Sequence, residues 1–457
     1  MMKLYNTLTG KKEVLNPIIP GKLGIYVCGL TVYDEAHIGH LRCMLVFDLL
    51  VRFLRHTGYA VNYVRNITDV DDKIIRRANE EGITPQALTT RVIAGIQEQE
   101  KALGLVTPDH EPKASEYMQE MIDMIQALER QGIAYVSKAG DVCFAVEKFP
   151  EYGALSGQSV QQLLSGHRVD AEEKNAAADF VLWKMAKPGE PSWPSPWGDG
   201  RPGWHIECSA MSTKILGDTF DLHGGGIDLK FPHHENEIAQ SVCATKGTFA
   251  RHWMHVGHLH VDSEKMSKSL GNFVTIQQAL NQYHPDVLKL FLLKTHYSQP
   301  LNYLESGMLE AQKVLLSFYL ALAKSKDTSD FAEDAADWVM FTEALKDDLA
   351  VSKALALMHA VSGRLVEGSA QPGDRSLLIA MGGVFCILMQ EPMTYLQGSA
   401  NVSEVNNLLA QRTAARKQKD YAAADSIRDT LAERGIDIED RVDGVFWYDA
   451  MAGILTE

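Results

Sequence analysis

The 457-residue chain lacks any run of about 18 consecutive apolar residues, the length that a membrane-spanning helix requires. Its first residues, MMKLYN, lack the apolar stretch of a secretory signal peptide. None of its 6 cysteines form a C-x-x-C pair, and their wide spacing argues against a disulfide framework in so long a chain. These absences argue against a membrane protein and predict a cytoplasmic one.

Positive charge is also scarce. The chain has 44 Lys and Arg against 59 Asp and Glu, a formal net charge of −15. Because nucleic acid is a polyanion, any contact with RNA is expected to be confined to local basic patches. One candidate patch is the basic helical stretch at residues 412–428, for which a solvated helix face is the alternative interpretation.

The chain does contain a strand–loop–helix–strand pattern near its N-terminus. Residues 25–28 form a short apolar run that ends at Gly29, and residues 44–54 form a long apolar stretch that stops at Gly58. Residues 61–64 then alternate as a strand does. This order predicts a βαβ unit whose loop binds a nucleotide. The predicted fold class is α/β, with a Rossmann-type parallel sheet and a mostly α-helical later part.

Two short segments carry candidate catalytic residues, HIGH at 37–40 and KMSKS at 265–269. Activating a carboxylate with ATP builds negative charge on the leaving pyrophosphate, so positive groups aimed at the phosphates are the main need. His37 and His40 flank a predicted helix start, where backbone N–H groups also point outward, and Gly39 allows close approach of a nucleotide. Each segment alone is equally consistent with ordinary loop histidines and a solvated turn.

The second segment lies in a Ser/Gly-rich loop of the kind that closes on phosphates and reopens. Its candidate residues are Lys265 and Lys268. In this order and at this separation, the two segments resemble the signatures of class I aminoacyl-tRNA synthetases. That resemblance implies ATP-driven activation of an amino acid.

Four residues have the types and spacing of a zinc site. Cys28 precedes both segments, and Cys208, His233 and Glu237 lie between them. His233 and Glu237 are four positions apart and share a face if a helix begins near Pro232. Cys28 ends the first predicted strand, and Cys208 stands where the βα pattern resumes, so both are expected at the carboxyl edge of the sheet. Two sulfurs, one imidazole and one carboxylate suit zinc. Spacing alone leaves four rival ligands open: His205, His223, His234 and Glu235.

Five segments resemble bacterial cysteinyl-tRNA synthetases in particular, and the resemblance runs through almost the whole chain. They are residues 24–42, 66–73, 203–208, 224–237 and the lysine loop. The resemblance implies one Zn²⁺ per chain, held by Cys28, Cys208, His233 and Glu237, to which the substrate thiolate binds directly. It implies an ATP site that uses His37, Gly39, His40 and Lys268. It also implies an amino-acid pocket formed by Gly29, Thr31, Thr68, Trp204 and Asp228.

A zinc ion would solve the selectivity problem that such an enzyme faces. Serine differs from cysteine only by oxygen for sulfur, and shape alone separates such near-isosteres by roughly a hundredfold. A soft ion prefers thiolate, whereas a serine hydroxyl stays protonated and binds weakly. The resemblance therefore implies an enzyme that needs no editing domain.

With this resemblance, the breaks in the sequence pattern predict six segments. Residues 1–114 and 196–250 form the two halves of the Rossmann catalytic domain, and residues 115–195 form a connective insertion with its own small core. Residues 251–305 hold the signature loop and contact the tRNA stem. Residues 306–400 form a tRNA-binding helical bundle, and residues 401–457 form a small anticodon-recognition domain.

The predicted reaction joins L-cysteine to cysteine tRNA by way of cysteinyl-adenylate, with ATP as substrate and Mg²⁺ accompanying it. A monomer is expected. The main alternative is a relative that passes activated cysteine to an amino-sugar, which the basic C-terminal unit from about residue 401 disfavours. A non-catalytic RNA-binding protein on the same scaffold is the second alternative, and the intact His37, His40 and Lys268 argue against it.

Overall fold

The structure is a computed structural model that describes residues 1–157, 174–261, 264–265, 273–398, 400–441 and 444–455. The chain forms two compact units. The first comprises Met1–Leu259, Tyr297–Leu301 and Lys346–Leu349. The second comprises His260–His296, Asn302–Leu345 and Ala350–Glu457.

The first unit alternates strands and helices. Its strands are β1 (Lys3–Asn6), β2 (Lys11–Val14), β3 (Lys22–Thr31), β4 (Ala60–Thr68), β5 (Ala134–Val136), β6 (Val142–Phe144), β7 (Phe180–Met185), β8 (Gly200–Pro202), β9 (Thr219–Gly226) and β10 (Phe249–Val256). Its helices are α1 (Ile38–His56), α2 (Asp72–Glu81), α3 (Pro85–Leu103), α4 (Met118–Arg130), α5 (Trp204–Leu216) and α6 (Glu235–Thr245).

A parallel sheet in the order β10-β9-β3-β4 forms the centre of this unit. Of its two middle strands, β9 is buried over most of its length and β3 is buried over its central residues 25–28, as expected for a parallel sheet covered on both faces. Ile25 of β3 stands opposite Tyr63 of β4 and Leu222 of β9. The predicted βαβ unit is therefore β3–α1–β4, and the predicted α/β fold class is confirmed.

Helix α1 packs closely on this sheet because one strand position lacks a side chain. The helix buries an apolar face that includes Leu45 and Phe47. At Gly224 of β9, a Cβ atom would lie 2.2 Å from Cζ of Phe47. Glycine at this position lets the helix that follows the HIGH segment approach the sheet.

The predicted connective insertion contains helix α4 and the strands β5, β6 and β7 of an antiparallel sheet, whose fourth strand, β8, lies beyond the predicted boundary at residue 195. Its apolar side chains, such as Ile125 and Phe144, belong to the same buried cluster as Tyr26 and Phe220 of the parallel sheet. The prediction of a separate small core is therefore wrong. The physical reason is that α4 packs against α5 and α6, so its apolar face is buried against helices that lie outside the insertion.

The second unit is mostly helical. Its helices are α7 (Ile276–Gln282), α8 (Pro285–Lys294), α9 (Glu305–Lys324), α10 (Ala336–Lys346), α11 (Val351–Glu367), α12 (Asp374–Val384), α13 (Pro392–Gln397), α14 (Val402–Lys417) and α15 (Tyr421–Glu433). The strands that lie wholly or mostly in this unit are β11 (Leu259–Val261), β12 (Glu264–Lys265), β13 (Leu301–Tyr303), β14 (Ile436–Arg441) and β15 (Gly444–Asp449).

From Glu305 to Gln397 the described residues contain helices and no strand, as the periodicity predicts. The C-terminal part then forms a small cluster of its own from α14, α15 and the β14–β15 hairpin, centred on Leu409, Leu431 and Trp447. Among the described residues, no helix is both long and apolar enough to cross a membrane.

Candidate functional site

Four ligand-type side chains meet beside the carboxyl half of β3. The Sγ atoms of Cys28 and Cys208 lie 3.7 Å apart, and Sγ of Cys28 lies 3.3 Å from Oε1 of Glu237. Nε2 of His233 lies 3.0 Å from the same carboxylate oxygen. The donor atoms of all four residues lie within 4.8 Å of one another, and all four residues are buried. We call this set, Cys28, Cys208, His233 and Glu237, the thiol end of the site.

The donor atoms of the thiol end fit a zinc ion. Two sulfurs that bind one tetrahedral zinc at about 2.3 Å lie about 3.8 Å from each other. The observed separation of 3.7 Å matches this value and is far too long for a disulfide, whose sulfurs lie about 2.05 Å apart. The donor set of two sulfurs, one nitrogen and one oxygen also suits zinc chemically.

The charge state of the cluster favours a cation as well. Burial would raise the pKa of the Glu237 carboxyl, but the His223 and His233 rings hold that pKa well below its usual range. Burial would also raise the pKa of the Cys208 thiol, but the hydrogen bond from Cys28 and the charge on His233 lower it to about 6. Burial would lower the pKa of the His233 ring, but Glu237 and Cys208 raise it to about 10, so a protonated His233 supplies in this structure the positive charge that a metal ion would replace.

The elements that position these residues differ in part from the prediction. Cys28 lies three residues before the end of β3, and Cys208 lies on α5 and not at a strand end. Helix α6 begins at Glu235, because the preceding segment Lys230–His234 is an irregular turn in which Phe231 has extended backbone angles. His233 nevertheless reaches Glu237, since this turn continues directly into α6.

Four residues had remained open as rival ligands. His223 and His234 lie within 4.8 Å of Cys28 and Glu237 and form a second candidate set, which has one sulfur where the first has two. Nε2 of His223 lies 2.8 Å from Oε2 of Glu237, the oxygen that faces away from His233. The remaining two have other partners. Nδ1 of His205 lies 2.9 Å from Nδ1 of His233, and the Glu235 carboxylate accepts backbone N–H groups from residues 153–156.

The residues predicted for the amino-acid pocket lie in different relations to this cluster, and Gly29 directly follows Cys28 in β3. Thr31 and Thr68 stand opposite each other at the carboxyl ends of β3 and β4. The Trp204 ring stacks on the His233 ring, with 4.2 Å between centroids, and 36% of its surface remains exposed. Asp228 lies in the turn after β9, close to Gly226, and its charge acts on His37.

The predicted ATP-binding histidines form the N-terminus of α1. His37 is the N-cap, and its Nδ1 accepts the backbone N–H of Gly39 at 3.0 Å and of His40 at 3.3 Å. Nδ1 of His40 accepts the backbone N–H of His37 at 3.3 Å, and the rings stack 3.6 Å apart. Each ring therefore carries its proton on Nε2, which makes Nε2 a donor. We call His37, Gly39 and His40 the ATP end of the site.

These histidines are neutral, which corrects the expectation that positive charge is aimed from this segment. Burial lowers the pKa of His37 to about 4, although the Asp228 carboxylate opposes the shift. Burial and the neighbouring His37 hold the pKa of His40 well below its ordinary value. The N–H groups of Gly39 and His40 are also taken by His37, so we expect this end to donate through its ring Nε2–H groups. Lys268 lies outside the described residues, and for Lys265 only the backbone, paired with His260 in β11, is described.

Comparison with known proteins decides the family. The model of the class I (C) tRNA synthetase catalytic domain matches residues 14–313, and the model of the cysteinyl-tRNA ligase anticodon-binding domain matches residues 402–447. A cysteine–tRNA ligase of Halorhodospira halophila is 51% identical over 98% of this chain and 99% of its own length. A cysteine–tRNA ligase of Legionella pneumophila is 48% identical over the same shares. The chain belongs to the cysteine–tRNA ligase family. The predicted resemblance and enzyme class are thereby confirmed.

Solved structures agree with the fold of this family at low sequence identity. The methionyl-tRNA synthetase of Mycobacterium tuberculosis in complex with methionyl-adenylate has a TM-score of 0.58 and 16% identity, covering 88% of this chain and 96% of that one. The ternary LeuRS–tRNA–LeuAMS complex from Agrobacterium radiobacter K84 has a TM-score of 0.57 and 13% identity, covering 81% and 84%. These likenesses support the class I fold alone.

Two buried residues of this member of the cysteine–tRNA ligase family join the site although the sequence did not single them out. Asn66 of β4 accepts the backbone N–H of Gly29 and lies beside Cys208. Oε2 of Glu207 accepts a hydrogen bond from Oγ1 of Thr68 at 3.0 Å. Both stand in segments that carry the family resemblance, which was the only signal available, because their contacts span long distances along the chain.

Proposed function

We propose that the chain activates L-cysteine with ATP and transfers the cysteinyl group to the 3′ end of cysteine tRNA, with one zinc ion selecting the substrate thiolate. The observation that carries this proposal is the buried thiol end, where Cys28, Cys208, His233 and Glu237 come within 4.8 Å of one another. The four residues would hold the zinc ion, which when bound supplies a soft site that prefers thiolate to hydroxyl.

The surrounding residues would hold cysteine in one orientation. The Asp228 carboxylate would complement the ammonium group of cysteine, and Gly29, Thr31 and Thr68, in the carboxyl-terminal parts of β3 and β4, would line the pocket. Trp204, stacked on His233, would cover the thiolate and exclude water. Exclusion of water strengthens each polar contact inside the pocket.

The reaction itself is a displacement at phosphorus. The carboxylate oxygen of cysteine attacks the α-phosphate of ATP, the bond to pyrophosphate breaks, and cysteinyl-adenylate forms. His37 and His40 would donate their Nε2–H groups to phosphate oxygens as neutral hydrogen-bond donors. Positive charge would come from Lys268, supported by Lys265, and from the Mg²⁺ that accompanies ATP. A hydroxyl of the terminal ribose of tRNA then takes the cysteinyl group and releases AMP.

The remaining predictions on organisation belong to this proposal. We propose that residues 251–305 contact the acceptor stem, that residues 306–400 bind tRNA, and that residues 401–457 read the anticodon. The match of the anticodon-binding family model to residues 402–447 supports the last of these. We further propose a cytoplasmic monomer with the catalytic domain at 1–114 and 196–250 and its insertion at 115–195.

Two assays test the proposal. Cysteine-dependent exchange of pyrophosphate into ATP is expected with the purified chain, and no exchange in active-site-intact protein would contradict it. In the second assay the chain receives ATP and cysteine with either cysteine tRNA or an amino-sugar. Transfer to tRNA is expected, and transfer to the amino-sugar alone would favour the alternative acceptor.

A further inference from the structure

The strands β3 and β4 lose their regular register beside the thiol end. Val27 stands opposite Arg65, and Leu30 stands opposite Ile67, so two residues of β3 face one residue of β4. The two are Cys28 and Gly29, and the one is Asn66. Such a bulge redirects a side chain and leaves a backbone group without its ladder partner.

The side chain of Asn66 supplies the missing partner. Its Oδ1 accepts the backbone N–H of Gly29 at 2.9 Å, and its side chain is almost fully buried at 1% exposure. Position 29, opposite Asn66, requires glycine, since a Cβ on Gly29 would lie 1.6 Å from the backbone oxygen of Asn66. A buried N–H group left without an acceptor would cost free energy, so this amide stabilises the bulge.

The same amide reaches two other parts of the site. Its Nδ2 donates to Oγ1 of Thr68 at 3.3 Å, and its Oδ1 lies 3.7 Å from Sγ of Cys208. One side chain therefore touches the residue after Cys28, the Cys208 sulfur and a hydroxyl of the amino-acid pocket. Among side chains of this length, only asparagine and a protonated aspartic acid offer an acceptor and a donor on two separate atoms.

We propose that Asn66 is a positioning residue of the thiol end, whose side-chain carbonyl holds the Cys28–Gly29 bulge and thereby aims the Cys28 sulfur at the metal. This inference rests on the proposed zinc site. It assigns to Asn66 no contact with the reacting atoms.

The test replaces zinc by cobalt, whose visible absorption reports thiolate ligands directly and independently of activity. Asn66→Ala removes the acceptor, and Asn66→Asp keeps an acceptor of the same size. Asn62→Ala, an amide four residues earlier on β4, is the matched control. In Asn66→Ala we expect cobalt affinity to fall roughly 10–100-fold, as for loss of other outer-shell partners, and the contribution of one thiolate to be lost. Asn66→Asp and Asn62→Ala should keep the wild-type thiolate band.

Wild-type affinity and a full thiolate band in Asn66→Ala would overturn the proposal while leaving the zinc site intact. If Asn66→Ala fails to fold, judged by its circular dichroism, the Asp variant decides. A folded Asn66→Asp without the wild-type band would overturn the proposal, and a folded one with that band would support it. A wild-type protein without any thiolate band would instead overturn the zinc site itself, and with it the role of Asn66.

Discussion

The thiol end and the ATP end of the first unit differ in how far apart along the chain their contacting residues lie. At the thiol end, Cys28 and Glu237 touch although 209 positions separate them. At the ATP end, the hydrogen bonds that orient His37 and His40 all lie within four consecutive residues. The ATP end is thus a local structure of a helix start, whereas the thiol end exists only when the whole unit has folded.

The two ends also differ in charge. The thiol end concentrates anionic donors in a buried place, which calls for a cation. The ATP end consists of two neutral rings, which in the proposed function would face a highly charged substrate. The positive charge that ATP needs must therefore come from elsewhere, and the lysine loop is the candidate. If cysteine binding depends on the thiol end and ATP activation on the ATP end and the lysine loop, variants at one end should leave the function of the other almost unchanged.

The largest separation of the two functions is expected for Lys268→Ala. Loss of one charge-stabilising group should lower the rate of adenylate formation by roughly 10²–10³-fold, while cysteine affinity stays near the wild-type value. Pyrophosphate exchange at varied cysteine concentration measures both quantities. Lys138→Ala, at an exposed position of the insertion, is the control. A large loss of cysteine affinity in Lys268→Ala would contradict the claim that cysteine binding and ATP activation depend on separate residues.

Cys208→Ser is the reciprocal variant. It removes a first-sphere ligand, so zinc retention should weaken by at least the roughly 10–100-fold that loss of an outer-shell partner costs. Cysteine affinity should fall with it, while ATP still binds. Metal analysis after dialysis against a chelator and calorimetric titration with ATP measure these effects. Cys243→Ser, a buried cysteine on the same helix as Glu237, should behave as wild type. Full zinc content in Cys208→Ser would contradict the ligand assignment.

A smaller effect is expected at Trp204, which covers the thiol end from outside. Trp204→Ala removes the ring that stacks on His233 and should raise the KM for cysteine roughly 2–10-fold, with little change in the KM for ATP. Trp204→Phe should recover most of the loss, because a phenyl ring can still stack. Equal increases of both KM values would show that Trp204 does not belong to the thiol end alone.

The smallest effect concerns pH. The folded pKa of His37, about 4, lies below the ordinary value of 6.5. The unfolded chain therefore binds more protons between these values, and the stability that the neutral ring contributes is lost as pH falls from 6.5 towards 4. Above that window the ring is neutral. The kcat/KM for ATP should hence show no inflection from His37 between about pH 6 and 8. An inflection near 6.5 that disappears in His37→Asn would contradict a neutral ATP end.

The difference between local and long-range contacts also explains which parts of the site the sequence predicts. The start of α1 at Ile38 was predictable because the HIGH segment at 37–40 is followed closely by the apolar stretch at 44–54. The contact between His233 and Glu237 followed from their four-residue spacing, although α6 begins later than expected. In both cases the decisive information is local.

The long-range part was less accessible. Cys208 lies on a helix where a strand end was expected, since the residues around it are apolar enough for either element. The bulge opposite Asn66 depends on the register between two strands, and register is set by packing that no single segment encodes. The sequence pattern therefore identified the four donors by resemblance and spacing, but not the residues that hold them in place.

The most direct test of the zinc-selected thiol site is X-ray absorption at the zinc edge of the purified protein, recorded with and without cysteine. We predict one zinc per chain whose ligands include two sulfurs without substrate and three sulfurs with cysteine, and no such increase with serine. A protein that holds no zinc, or a zinc whose sulfur count does not change when cysteine is added, would contradict the account.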